Sequence, residues 1–131
     1  ELIEHINDHD LCKIIENISI IIQNRRLLDK NTSIIITTPN YAGLWPFIEI
    51  FVDLITGMNY RKQHISKYNP VRLKNTLIHL LAQNGIESET LNIQMGTFMG
   101  FSWISKKFKF LDNLLIKILN KGHLCFVRID A

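Results

Sequence analysis

Apolar residues recur at helical spacing early in the chain. Leu11, Ile14, Ile15, Ile18, Ile21 and Ile22 form one stripe, which predicts an amphipathic helix. Asn7 or Asp8 stands where an N-cap is needed, and Asp8 and Asp10 suit the positive end of the helix dipole. The pattern fades by Asn24 to Arg26, and residues 27–31 read as a turn-like connector. Ser33 to Thr38 changes the period. This run is β-branched and apolar on both faces, which predicts a central parallel strand covered from both sides and stopped by Pro39-Asn40.

Residues 43–57 predict a helix with Pro46 in its first turn and Gly57 at its end. Phe47, Ile50, Phe51, Leu54 and Ile55 share one face of it. That face is expected to pack on the edge of the sheet, with a substrate cover or a lipid contact as alternatives. The polar and aromatic run 58–68 predicts a loop. Asn69-Pro70 then opens a helix as cap and first residue, Leu73, Leu77, Leu80 and Leu81 make its stripe, and Gly85 ends it. Ile86 to Met95 alternates loosely and predicts a strand, while residues 96–107 follow no period. Leu111, Leu114, Leu115 and Ile118 predict a last helix, and residues 123–129 a last strand. Helices alternating with strands imply an α/β sheet with helices on its faces.

Composition narrows the picture. With 47% hydrophobic and 21% charged residues, the 131-residue chain can bury a core and is not a disordered segment. The net charge of +3 is spread out. Its densest pieces, Arg61-Lys62 and Lys106-Lys107 with Lys109, are not interleaved with aromatics as a single-strand platform requires, so no nucleic-acid partner is expected. The cysteines, Cys12 and Cys125, have no C-x-x-C spacing and make no disulfide scaffold. Both are expected to be buried free thiols, which suits a reducing, cytoplasmic setting. The best apolar stretch, Leu44 to Ile55, is broken by Pro46, Glu49 and Asp53 and is too short to span a bilayer. The first residue is Glu1, which suggests a fragment, an omitted stretch or a processed product.

Four phrases, in order, carry a resemblance. Glu1-Leu2-Ile3-Glu4-His5-Ile6 resembles the "LEH(V/I)" motif after the fourth strand of many small-molecule methyltransferases. Thr37-Thr38-Pro39-Asn40-Tyr41 resembles the "TPN" ending of their fifth strand. Residues 63–73, from Gln63-His64 through Tyr68-Asn69-Pro70 to Leu73, resemble their "H-x-x-x-(F/Y)-(S/T/N)-P-x-x-L" lead into a helix. Residues 122–127 resemble their last strand. The chain thus resembles the C-terminal half of a class I, Rossmann-like S-adenosylmethionine-dependent methyltransferase of the type 11 small-molecule group. The resemblance implies a seven-stranded sheet in the order 3-2-1-4-5-7-6 with strand 7 antiparallel, of which this chain supplies strands 5, 6 and 7 with flanking helices. It implies a single partial domain over 1–131, with the cofactor-binding N-terminal half absent. No G-x-G occurs in the sequence, so the glycine-rich turn that holds the cofactor has no counterpart here.

The expected function is methyl transfer from S-adenosylmethionine to a small-molecule acceptor, as part of a larger catalytic domain. The isolated fragment is expected to be inactive. The alternative is a degenerate, non-catalytic remnant acting as an interaction or regulatory partner. The strand at 33–38 would leave a bare edge, to be met by an N-terminal half or by self-association. Methyl transfer needs positioned reactants and, for a hydroxyl or amine acceptor, a base. By resemblance, His5 and His64 are the catalytic candidates, Glu4 and His5 the cofactor-binding ones, and Asn40, Tyr41, Gln63 and His64 the substrate-binding ones. Each has a structural alternative: His5 as a helix cap, His64 as a loop anchor, Asn40 and Tyr41 as turn residues. Glu1, Glu4 and His5 share a helical spacing, but no metal is assigned. His9, His79 and His123 are expected to be structural, and Trp45 and Trp103 to serve packing.

Overall fold

A computed structural model describes residues 3–24, 33–98, 122 and 124–130. Helix α1 (Asp8–Gln23) starts where the Asn7 side chain accepts from the Asp10 N–H at 2.9 Å. Leu11, Ile15, Ser19 and Ile22 are its buried stripe, and the Ser19 hydroxyl donates back to the Ile15 carbonyl at 2.8 Å. Helix α4 (Pro70–Gln83) repeats the device, with Asn69 accepting from the Arg72 N–H at 2.8 Å and Leu73, Leu77, Leu80 and Leu81 buried. Between them lie β1 (Ser33–Pro39), α2 (Trp45–Thr56) and the single turn α3 (Tyr60–Gln63), the last within the stretch expected to be loop. After α4 come a 3-10 turn at Ser88–Thr90, β2 (Asn92–Phe98) and β3 (Leu124–Asp130). The strand expected from Ile86 starts later because that turn intervenes and because Ile86 is buried in the core at the end of α4.

The three strands are ordered β1-β3-β2. β3 lies between the other two and runs antiparallel to both, pairing Ser33–Pro39 and Asn92–Phe98 along its whole length. β1 and β2 therefore point the same way. β1 was expected to be covered on both sides, but among the described residues it is an edge strand, with Ile35 61% exposed.

Side chains alternate along β3, as the pleat requires. Cys125, Val127 and Ile129 are buried on one face, where α1 and α4 supply Leu11, Ile15, Leu73, Leu77 and Leu81. Each fully buried leucine or isoleucine contributes about 1.5–3 kcal/mol, which makes this layer the main source of stability. Helix α2 packs chiefly on α3. It is turned opposite to the expectation. Phe47, Phe51, Leu54 and Ile55 are 64–78% exposed, while Glu49 is 1% exposed. Polar contacts of Glu49, described below, fix this orientation. Cys12 is exposed, contrary to expectation, because it lies next to the buried stripe of α1 and not on it; Cys125 is buried. The expected last helix, and residues 96–107 from Met99 onward, lie outside the described residues. Among the described residues no helix is long and apolar enough to cross a membrane.

Candidate functional site

Three segments meet at the carboxyl end of β1. The Tyr41 N–H donates to the Tyr68 carbonyl at 2.8 Å, and the Ser66 N–H donates to the Glu4 carbonyl at 3.1 Å. These bonds tie the turn before α1 and the loop after α3 to the turn after β1. Asn40, 1% exposed, completes the turn: its amide donates to the Gly122 carbonyl at 2.8 Å and its oxygen accepts from the Ala42 N–H at 3.1 Å. Gly43 is required for this closeness. A Cβ there would lie 2.4 Å from the Gly122 oxygen.

Glu49 projects from α2 into the junction. Its Oε1 accepts from Trp45 Nε1, one turn earlier, at 3.0 Å, and also from the Tyr41 hydroxyl and His64 Nδ1. The Tyr41 hydroxyl also lies 2.8 Å from His64 Nδ1. His64 is 4% exposed, so this is a buried carboxylate–imidazole contact. Burial, reinforced by the hydrogen bond to Glu49 and the charges of Glu49 and Glu4, holds the Tyr41 phenol above its usual range. The phenol therefore stays a donor. A carboxylate only accepts, so Nδ1 of His64 carries a proton and donates to Glu49.

His5 is arranged in the same way. Its Nδ1 lies 3.0 Å from the Gln63 carbonyl, which also only accepts, so Nδ1 is again the donor. The two imidazole rings are 4.5 Å apart. Beneath them lies Glu4, 1% exposed, with Oε2 accepting from the Thr38 hydroxyl at 3.2 Å. Its other oxygen, Oε1, has no hydrogen-bond partner among the described residues and lies 3.7 Å from His5 Nε2. An open cleft of 590 Å³ begins at Ala42, the residue after Tyr41, and runs along the start of α4 past Asn69, Val71 and Asn75.

The structure thus gathers Glu4, His5, Tyr41 and His64 at one place. Gln63 is exposed and contributes its backbone carbonyl; Asn40 holds the turn. His9 and His79 are exposed on α1 and α4, away from the cluster. Glu1, Trp103 and His123 lie outside the described residues. Sequence reasoning did not single out Glu49 or Thr38 and assigned Trp45 to packing. The available signal was an acidic residue four positions after a tryptophan, opposite the apolar stripe of its helix.

No protein-family model matches the sequence, and no curated protein matches it. A solved structure does: a SAM-dependent methyltransferase from Archaeoglobus fulgidus superposes with a TM-score of 0.50 at 16% identity. The chain has a methyltransferase-like fold. The match covers 100% of this chain and 56% of that one, so the chain spans little more than half the length of its structural neighbour. In this methyltransferase-like fold, the buried cluster sits at the carboxyl end of β1, where open α/β sheets place their ligands.

Proposed function

We propose that the chain supplies the acceptor side of an S-adenosylmethionine-dependent methyl transfer to a small molecule. The observation that carries this reading is the pair of imidazoles at the carboxyl end of β1, each oriented by an acceptor at Nδ1. In methyl transfer the acceptor oxygen or nitrogen attacks the sulfonium methyl in line, the carbon–sulfur bond breaks, and the acceptor loses a proton. His5 and His64 are placed to activate the acceptor for that attack, with Glu49 holding His64. Tyr41 and the cleft beginning at Ala42 bound the acceptor site, with Gln63 and Asn40 shaping its rim. Glu4 and His5 mark the side facing the cofactor.

The test is chemical-shift mapping on the ¹⁵N-labelled chain with a panel of phenolic, quinol and sugar acceptors, and with S-adenosylhomocysteine. The expected result is that at least one acceptor class shifts Tyr41, His5 and His64, while S-adenosylhomocysteine leaves them in place. Acceptors that shift only distant residues, or none at all, would overturn the reading. A second reading, a non-catalytic partner module, is favoured by the exposed β1 edge at Ile35 and the outward apolar stripe of α2. Association into dimers or larger species that is abolished by Ile35→Lys, with no acceptor binding, would select it.

A further inference from the structure

We infer that Arg72 and Lys67 form a subsite for an anionic oxygen group, carboxylate or phosphate, carried by the methyl acceptor. The inference rests on the proposed acceptor site and names the class of acceptor it takes. A second hollow, of 380 Å³, is lined by Asn7, Asp8, Ile65, Ser66, Lys67 and Arg72. Arg72 also lines the cleft that begins at Ala42, so a ligand lying along the start of α4 passes its guanidinium.

Arg72 is held in place with most of its donors still open. Its Nη1 donates to the Lys67 carbonyl at 2.9 Å, and its guanidinium carbon lies 5.6 Å from the centre of the buried Tyr68 ring. A guanidinium presents five N–H donors in a fixed fork, and among the described residues the rest of this fork has no partner. The other described arginines are engaged with acids, Arg61 with Asp53 and Arg128 with Asp130, both at 2.7 Å. Arg72 has no carboxylate within ion-pair distance among the described residues. A guanidinium fork matches a carboxylate or phosphate with two parallel bonds. One that is already positioned has less side-chain freedom to lose when the anion binds.

Lys67 joins this fork to the acceptor site. Its Nζ lies 5.4 Å from the centre of the Tyr41 ring, whose hydroxyl touches Glu49 and His64. Lys67 likewise has no carboxylate within ion-pair distance among the described residues. Asp8 lines the same hollow, so two positive charges face one negative charge there. The surplus favours an anion over a neutral or cationic group. An acceptor with its reacting atom at Tyr41 and His64 and an anionic arm along the loop before α4 meets both cations.

Two matched pairs of probes test this by chemical-shift titration of the ¹⁵N-labelled chain: 4-hydroxyphenylacetate with its methyl ester, and glucose 6-phosphate with glucose. In at least one pair the anion is expected to shift Arg72 and Lys67 and to bind about 10-fold or more tightly than its neutral partner, as charge-assisted bonds to an arginine fork should. The pair that discriminates tells carboxylate from phosphate. Arg72→Gln should abolish the preference and Lys67→Gln should reduce it. Both residues are exposed, so the variants are expected to fold, and circular dichroism checks that they do. The inference is overturned if neither pair discriminates, if neither anion shifts Arg72, or if the preference survives Arg72→Gln. The neutral members read the acceptor site by themselves. If they shift Tyr41, His5 and His64 but the anions gain nothing, only the anionic subsite falls. If no acceptor shifts those three residues, the acceptor reading falls and takes the inference with it.

Discussion

Replacing Glu49 tests whether a buried carboxylate sets the direction of α2. In Glu49→Leu the Trp45 indole N–H, the Tyr41 hydroxyl and His64 Nδ1 all lose their acceptor. A buried donor left unpaired costs about 1–3 kcal/mol. Tyr41 and Trp45 are half-buried and can recover some hydration, whereas His64 is 4% exposed and cannot. The sum comes to about 3–5 kcal/mol. That is a large part of the ~5–15 kcal/mol that holds a domain together. Glu49→Gln keeps an acceptor oxygen and loses only the charge, so about 1–2 kcal/mol is expected. The assay is urea denaturation followed by circular dichroism, with the slope checked so that a midpoint shift reads as stability. If Glu49→Leu does not fold, the double mutant Glu49→Gln with Tyr41→Phe replaces it. Its cost should differ from the sum of the singles by at least about 0.5 kcal/mol, because the two residues share a bond. A Glu49→Leu protein within about 1 kcal/mol of the parent would refute the reasoning, because the outward apolar stripe would then need another cause.

Further outcomes follow from the same geometry. Burial pushes the Cys125 thiol up to about 12, while Cys12 is exposed, so one thiol should react quickly with a disulfide reagent at pH 8 and the second only on unfolding; two fast equivalents would contradict this. Gly43→Ala should cost about 1–3 kcal/mol in the same urea assay, because the new methyl meets a backbone oxygen that cannot swing aside; a neutral result would mean that the turn after β1 is looser than described. The folded-state pKa of Tyr41 is raised above 10, so its contribution to stability is complete below pH 10 and is lost as pH climbs beyond that, when only the unfolded phenol deprotonates. Tyr41→Phe should therefore flatten part of the fall in urea midpoint between pH 9 and 11, and an unchanged slope would count against its burial beside Glu49.

Much of the fold was legible because helical and strand periods report local geometry directly. The stripes of α1 and α4, with Asn7 and Asn69 as caps, appear where the spacing places them. Direction was harder to read. The period of α2 gives a stripe but not the surface it faces, and Glu49 settles that through partners on other segments. The edge position of β1 was equally hidden, since SIIITT has the same pattern whether a neighbour strand is present or not. At the site, His5, Tyr41 and His64 could be named because they lie in phrases that resemble a family. Thr38, although inside one of those phrases, and Glu49 were not singled out, because what distinguishes them is a contact across 34 residues to Glu4 and across 15 residues to His64.

The central claim is that Glu49 and the Gln63 carbonyl hold the Nδ1 protons of His64 and His5 and so fix both rings. Long-range ¹H–¹⁵N correlation spectra of the imidazoles at pH 8 test it directly, because protonated and unprotonated ring nitrogens resonate far apart. The account predicts a protonated Nδ1 in both rings, with His64 losing that preference in Glu49→Leu and keeping it in Glu49→Gln, whose amide oxygen still accepts. An unprotonated Nδ1 on His64 in the parent chain would contradict it.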